Sequence, residues 1–285
     1  MSAKQFNSWE DAVSWLITQP DKKELVHACY FDRPALAAAQ RYHMSEEWRE
    51  VRRLLPTPPG MVLDVGAGMG IASYALAADG WRVTALEPDP SNVVGAGAIR
   101  QLANDAGMEI TVVEKWAEGL PFADAVFDVV HARQVLHHAR DLGQFCAELF
   151  RVLKPGGCLI ATREHVISDG HQLPKFLAKH PLHDLYGGEN AFERKEYEAR
   201  LRAAGFTLCQ VFGPWDSIIN STPFTRNKLH DMFLARFGHW LGAAWFARMA
   251  FSELGFSLVR QILTVVDRRP GRLYTFVANK PELGK

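Results

Sequence analysis

The chain has 285 residues, 48% of them apolar and 22% charged, enough to bury a core without a disulfide or metal staple. Lys plus Arg and Asp plus Glu number 32 each, so the formal charge is zero and no strong nucleic-acid signal is present. Four widely separated cysteines without CxxC spacing suggest reduced thiols, with neither a disulfide framework nor a metal site. The first residues, MSAKQFNSWEDAVSWL, lack a signal-peptide core, and the apolar stretch at 240–259 is interrupted by Arg248 and Glu253. The expectation is a soluble, cytoplasmic protein with no membrane span.

Residues 8–55 predict helices: Trp9, Ala12, Val13 and Leu16 recur at helical spacing, as do Trp48, Val51, Leu54 and Leu55. PTPPG at 56–60 stops them, because proline lacks the N–H that would continue a helix. Strands and helices then alternate. MVLDV predicts strand one, IASYALAADG a helix stopping at Gly80, WRVTALE strand two, and residues 91–106 a helix ending at Gly107. EITVVEKW predicts strand three, FDVVHARQ strand four, and residues 141–153 a helix stopping at KPGG. CLIATREH predicts strand five, FERKEYEARLRAAG a helix, FTLCQVFG strand six and GRLYTFVANK strand seven. Such alternation predicts an α/β protein, a mostly parallel sheet with helices on both faces.

The expected organisation is an N-terminal helical cap (1–60), a core (61–213 and 272–285) and a helical insertion (214–271) too long for a loop. The insertion holds nine Trp or Phe residues: Trp215, Phe224, Phe233, Phe237, Trp240, Trp245, Phe246, Phe251 and Phe256. It predicts a cap on the sheet, a substrate lid, or a face pairing two copies in a homodimer. KLHDMFLARFGHWLGAAWFARM could pair subunits or merely cover the sheet, and periodicity does not choose.

The stretch VLDVGAGMG places Gly66, Gly68 and Gly70 between a strand and a helix. Glycines there let the backbone approach a ligand, and the helix start offers free N–H groups. A dinucleotide fingerprint needs a third small residue one position later, where Ile71 stands. Asp64, at the mouth of this loop, would repel a pyrophosphate and attract a cationic amino-acid tail. Glu87 ends strand two, 21 residues after Gly66, where a carboxylate can accept both hydroxyls of a free ribose.

The segments VLDVGAGMGIASYALA, TALEPDP, WAEGLPF, FDVVHARQVLHH and ELFRVLKPGGCLI, in this order over residues 61–163, resemble the successive motifs of class I S-adenosylmethionine-dependent methyltransferases. They span over a third of the chain. The resemblance implies a Rossmann-like seven-stranded sheet of order 3-2-1-4-5-7-6, with strand seven antiparallel, and S-adenosylmethionine as cofactor. It implies that Asp64 and the backbone of Gly66, Ala67, Gly68 and Gly70 hold the methionine moiety. Glu87 would hold the ribose and Pro88 flank the adenine. Trp116 stands where the family often has an acidic residue reading the adenine amino group; it can stack on the base but cannot accept that hydrogen bond. Ala117 remains as a backbone donor and Glu118 as a nearby carboxylate. Ala132 and Arg133 would lie beside the methionine amine, and Arg41 and Tyr42 resemble residues that close over the cofactor.

In open parallel sheets ligands sit past the carboxyl ends of the strands. His137 and His138 follow strand four, and Glu164 and His165 follow strand five, whereas His131 lies within strand four and reads as core. A hydroxyl or protonated amine acceptor needs a base, and histidine suits that task. His165 is the first candidate, then His138 and His137; each could equally be a hydrogen-bonded pocket residue. Within HPLHDLYGGENAFERKEY, His183, Tyr186, Glu189 and Asn190 are candidate ligands for a polyhydroxylated acceptor. HPLH spacing without nearby cysteine supports no metal site.

Three functions stand against one another. A small-molecule O-methyltransferase is favoured by the aromatic insertion and the helical N-terminus, which would roof a pocket. An enzyme acting on RNA or protein is favoured by RRPGR (268–272) and by eight Arg/Lys against four Asp/Glu over 214–272. A non-catalytic S-adenosylmethionine-binding protein is favoured by Trp116. The intact Asp64, glycines and Glu87 point to a working cofactor site, so the first is the expectation.

Overall fold

Four helices open the chain in a computed structural model that describes residues 6–237 and 253–282. They are α1 (Trp9–Ile17), α2 (Lys23–Ala28), α3 (Ala35–His43) and α4 (Glu46–Leu54). Ser8 and Ser45 begin α1 and α4 by accepting the backbone N–H of Asp11 and Trp48, which satisfies donors a helix start leaves free. After the prolines come β1 (Met61–Val65), α5 (Ile71–Ala78), β2 (Arg82–Leu86), α6 (Ala96–Ala106), β3 (Ile110–Val113), β4 (Phe127–Arg133), α7 (Leu142–Val152) and β5 (Leu153–Ile167). The chain continues through α8 (Leu173–Leu177), β6 (Phe192–Glu193), α9 (Arg194–Ala203) and β7 (Thr207–Phe212). Then follow α10 (Ile218–Ser221), α11 (Arg226–Phe237), α12 (Glu253–Val266) and β8 (Arg272–Asn279).

The sheet runs β3-β2-β1-β4-β5-β8-β7, parallel except for β8, which is antiparallel to both neighbours. This is the expected seven-strand order, with one addition. β5 runs 15 residues, and its last two, Val166 and Ile167, pair with the two-residue β6. Other boundaries differ for local reasons. α6 begins at Ala96 and not near 91, because the Asp89 and Ser91 side chains accept the N–H groups of Ser91, Val93 and Val94 and hold a turn there. β3 ends at Val113, short of Trp116.

Strand alternation sorts the residues of β1 between two cores. Leu63 and Val65 face the side covered by α7 and α9, with Phe127, Leu149 and Tyr197. Val62 and Asp64 face the other side, where Trp48, Tyr42 and Leu76 from α4, α3 and α5 pack. In β4 the same period puts His131 beside Asp64 on that second side. The N-terminal helices thus form a layer on the sheet, directly over the face that carries the polar residues of β1 and β4.

The described part of the insertion packs on α4 and over β5 and β8. Ile218, Leu229 and Phe233 form a core with Trp215, Phe224, Val259 and Leu263. Thr275 in β8 donates its hydroxyl to Asn220 (2.8 Å), and Arg163 in β5 donates to the carbonyls of Ile219 and Thr222 (2.7 and 3.2 Å). Residues 238–252, which carry Trp240, Trp245, Phe246 and Phe251, lie outside the described residues, so the candidate pairing helix is described only in part. Among the described residues no helix is long and apolar enough to cross a membrane.

Candidate active site

The loop after β1 turns through three left-handed glycines, Gly66 (φ 60°), Gly68 (φ 56°) and Gly70 (φ 83°). Only glycine adopts this conformation without steric cost. A Cβ on Gly66 would meet Val135 Cγ2 at 2.3 Å, while one on Gly68 would meet nothing within 4 Å, so that turn faces open space. Gly68 donates its N–H to Glu87 Oε2 (2.7 Å), and Ala67 donates to the Leu86 carbonyl (3.1 Å), pinning the loop over the end of β2. Gly70 starts α5 with no side chain capping it, which leaves first-turn N–H groups available to a ligand.

Burial pushes the Glu87 carboxyl up to about 7. The N–H groups of Asp89 and Gly68 counter it, and the charges of Asp89 and Asp64 add to it. Asp64 is 1% exposed, accepting Ser73 Oγ–H (2.5 Å) and paired with His131 Nδ1 (2.8 Å). Arg133 grips Glu47 through Nε and Nη2 (2.8 and 3.3 Å), with its guanidinium over the Tyr30 and Tyr42 rings. Burial works against the charge on Arg133, but the buried Glu47 carboxylate outweighs it and holds the guanidinium protonated.

The loop opens into a cavity of about 280 Å³. Asp64, Gly66, Ala67 and Gly68 line one end, and His137, His138, His180 and Glu189 the other. Trp9, Leu25, Cys29, Tyr30 and Phe31 from the N-terminal layer form its roof.

At the second end, Glu164 is fully buried and gathers the turn after β4. It accepts the N–H groups of Val135, Leu136 and His137 (3.1 Å each) and bonds His137 Nδ1 (2.7 Å). His137 Nε2 lies 3.6 Å from Glu189 Oε2, too long for a hydrogen bond but close for an ion pair. Burial opposes charge on His137, yet the two carboxylates win and raise it to about 9, while His137 and His180 draw Glu189 down to about 2 against its burial. His138 Nδ1 is 3.0 Å from the Gly188 carbonyl and His165 Nδ1 3.0 Å from the Gly271 carbonyl. Burial, aided by the His137 charge, lowers the pKa of both, and far more for His165.

Comparisons with known proteins place the chain in a family. Residues 63–161 fit the model of a family described as a methyltransferase domain. The dimethylglycine N-methyltransferase of Parasynechococcus marenigrum (strain WH8102) is 34% identical over 69% of this chain and 74% of its own length. The chain belongs to the class I S-adenosylmethionine-dependent methyltransferases. The ubiquinone biosynthesis O-methyltransferase of Azorhizobium caulinodans is 30% identical over 58% of the chain; the match spans 65% of that enzyme's length. Among solved structures, the phosphoethanolamine N-methyltransferase 2 of Haemonchus contortus, in complex with S-adenosyl-L-methionine, superposes with TM-score 0.55 at 18% identity. That match covers 92% of this chain and 61% of the other. The [4+2]-cyclase SpnF superposes with TM-score 0.56 at 21% identity, covering 87% of this chain and 82% of its own. Both share the fold.

S-adenosylmethionine is the cofactor of this methyltransferase family, and the residues present fit it. Three left-handed glycines turn the loop with Gly68 facing open space, the helix that follows starts uncapped, and a buried carboxylate ends β2. The structure brings Asp64, the glycine loop and Arg133 to one cavity wall, with Glu87 directly beneath the loop and Ala132 and Pro88 flanking these as buried and half-buried neighbours.

Other expected site residues stand elsewhere. Trp116 is 63% exposed beneath the Arg140 guanidinium and does not line the cavity. Ala117 is buried, and Glu118 accepts the Arg140 N–H (3.0 Å). Arg41 bonds Asp32 (2.7 Å) and faces a separate cavity of about 140 Å³, while Tyr42 is fully buried between Tyr30 and Trp48. Of the four expected acceptor ligands, Glu189 lines the cavity. His183 has its Nδ1 buried without a partner, Tyr186 packs on Trp9, and Asn190 is half-buried.

Sequence reasoning missed His180 as a cavity residue, Glu47 as the partner of Arg133, and the roof residues on α1 and α2. His180 stands in the HPLH stretch, weighed only as a metal pair, and the others show helical periodicity at most, which marks burial and not function.

Proposed function

We propose that the methyltransferase transfers its methyl group to a hydroxyl of a small molecule. One observation carries this reading: a single roofed cavity joins the glycine loop to the polar group His137, His138, His180 and Glu189. A cavity near 280 Å³, partly covered by the N-terminal layer, is of a size that suits a metabolite. S-adenosylmethionine supplies a methyl group on a sulfonium that leaves readily, so the protein's tasks are to aim the acceptor and exclude water. Trp9, Tyr30 and Phe31 do the second.

His138 is the residue best suited to take the acceptor's proton. Its ring lines the cavity, Nδ1–H points to the Gly188 carbonyl, and the lowered pKa leaves Nε2 free at neutral pH. His137 has both nitrogens turned to carboxylates, and His165 lies behind it outside the cavity wall. A second reading, an amine acceptor, is favoured by the relative named a dimethylglycine N-methyltransferase and by the Glu189 carboxylate in the wall.

The test supplies methyl-labelled cofactor and a cell extract divided into metabolite, RNA, protein and lipid fractions. Label in the metabolite fraction, on oxygen, is the expected result; label in RNA or protein, or none with cofactor bound, contradicts it. His138→Ala is expected to slow turnover about a hundredfold with cofactor affinity unchanged. Equal turnover removes His138 as the base.

A further inference from the structure

We propose that His137, His165 and Glu189 form a binding site for one divalent transition-metal cation, with zinc as the best-matched ion. Each residue offers one ligand atom, and these atoms lie within 4.8 Å of one another. They come from three places in the fold: the turn after β4, the end of β5 and the loop before β6.

Both histidines are already arranged as metal ligands are. Glu164 sits 2.7 Å from His137 Nδ1, and the Gly271 carbonyl 3.0 Å from His165 Nδ1. An acceptor on Nδ1 fixes the proton there and leaves Nε2 with the lone pair that a metal takes. Glu189 Oε2 is buried and has no hydrogen-bond partner, an arrangement a folded protein rarely leaves unfilled. It lies 3.6 Å from His137 Nε2. Two ligands of one tetrahedral zinc, each about 2.1 Å from the ion, stand roughly 3.4 Å apart. The observed gap is therefore the one an ion would bridge.

Two imidazoles with one carboxylate suit the borderline first-row cations and not magnesium or calcium, which take oxygen ligands. Two carboxylates, Glu164 behind His137 and Glu189 beside it, balance a dication. Three protein ligands leave a fourth position open, and because His137 and Glu189 line the cavity, that position faces it. An acceptor oxygen could occupy it, a role that rests on the proposed function; the binding of the ion does not.

The test titrates the chelator-stripped full-length protein with Zn²⁺ against a chromophoric competitor, with neither cofactor nor acceptor present. Failure of the proposed function therefore cannot mimic failure here. One zinc per chain is expected, with affinity lowered at least about tenfold in both Glu189→Gln and His165→Gln and unchanged in Cys209→Ser, an exposed thiol outside the cluster. Thermal melts in chelator show that the variants fold. In ¹⁵N spectra, saturating zinc is expected to move the His137 and His165 Nε2 signals. The competing arrangement is a proton on His137 held between two carboxylates. It predicts no saturable zinc binding and a doubly protonated His137 that zinc leaves unchanged, and either result overturns the proposal, as does zinc binding equal in both variants.

Discussion

At the glycine end of the cavity, the proposed recognition rests on backbone geometry contributed by adjacent segments: β1, its loop, the start of α5 and the end of β2. At the histidine end it rests on side chains brought from four places: the turn after β4, the end of β5, His180 and Glu189. The first end is held by glycine conformation and by main-chain bonds such as Gly68 to Glu87. The second is held by one buried carboxylate, Glu164, which accepts three backbone N–H groups and bonds His137. On the proposed reading, the contrast teaches that a cofactor common to a family can be gripped by local backbone, whereas an acceptor particular to one member is met by long-range packing that can vary without disturbing the grip.

The largest expected effect breaks the histidine end. Glu164→Ala strands three backbone N–H groups, two of them buried, and is expected to lower the free energy of unfolding by about 3 kcal/mol, read by denaturant titration. A loss below about 1 kcal/mol would mean that the turn after β4 holds itself.

The glycine end has its own pH signature. The folded protein holds the Glu87 proton up to about 7, the unfolded chain only to its ordinary 4.5. Stability from this group is therefore full below pH 4.5 and lost as pH rises to about 7, on the order of 3 kcal/mol in the cofactor-free protein. Ribose hydroxyls donate to the ionised form, so cofactor affinity is expected to rise across the same window. Glu87→Gln should flatten both curves; curves that keep their slope place the titration elsewhere.

Smaller effects sharpen the contrast. Asp64→Ala and Glu87→Ala are each expected to weaken cofactor binding by about tenfold, or about 1.4 kcal/mol, in calorimetry. Trp116→Ala is expected to change it by less than about threefold, because that ring stands 63% exposed outside the cavity wall. A tenfold loss there would put the adenine against Trp116.

The same contrast explains what the sequence made legible. The strand-helix alternation and the glycine loop follow from local signals: apolar runs, glycines at 66, 68 and 70, and an acid ending β2; the strand order came from the family resemblance. The turn at 91–95 was hidden, because a serine near a helical pattern can cap the helix or, as Ser91 does, hold a turn before it. The grouping of His137, His165 and Glu189 has no spacing signature, since the first two stand 28 positions apart, across β-strand and helix, and only the sheet register rejoins them. Arg133 with Glu47 is similar: 86 positions apart, joined where α4 crosses the sheet.

The central claim is that one cavity holds the cofactor at the glycine loop with its sulfur turned toward the histidines. A crystal structure with S-adenosylhomocysteine tests it most directly. The account predicts the ribose hydroxyls on Glu87, the amino-acid tail beside Asp64 and Arg133, and the sulfur facing His137 and His138. A ribose held away from Glu87, or a sulfur turned from the histidine end, would contradict it.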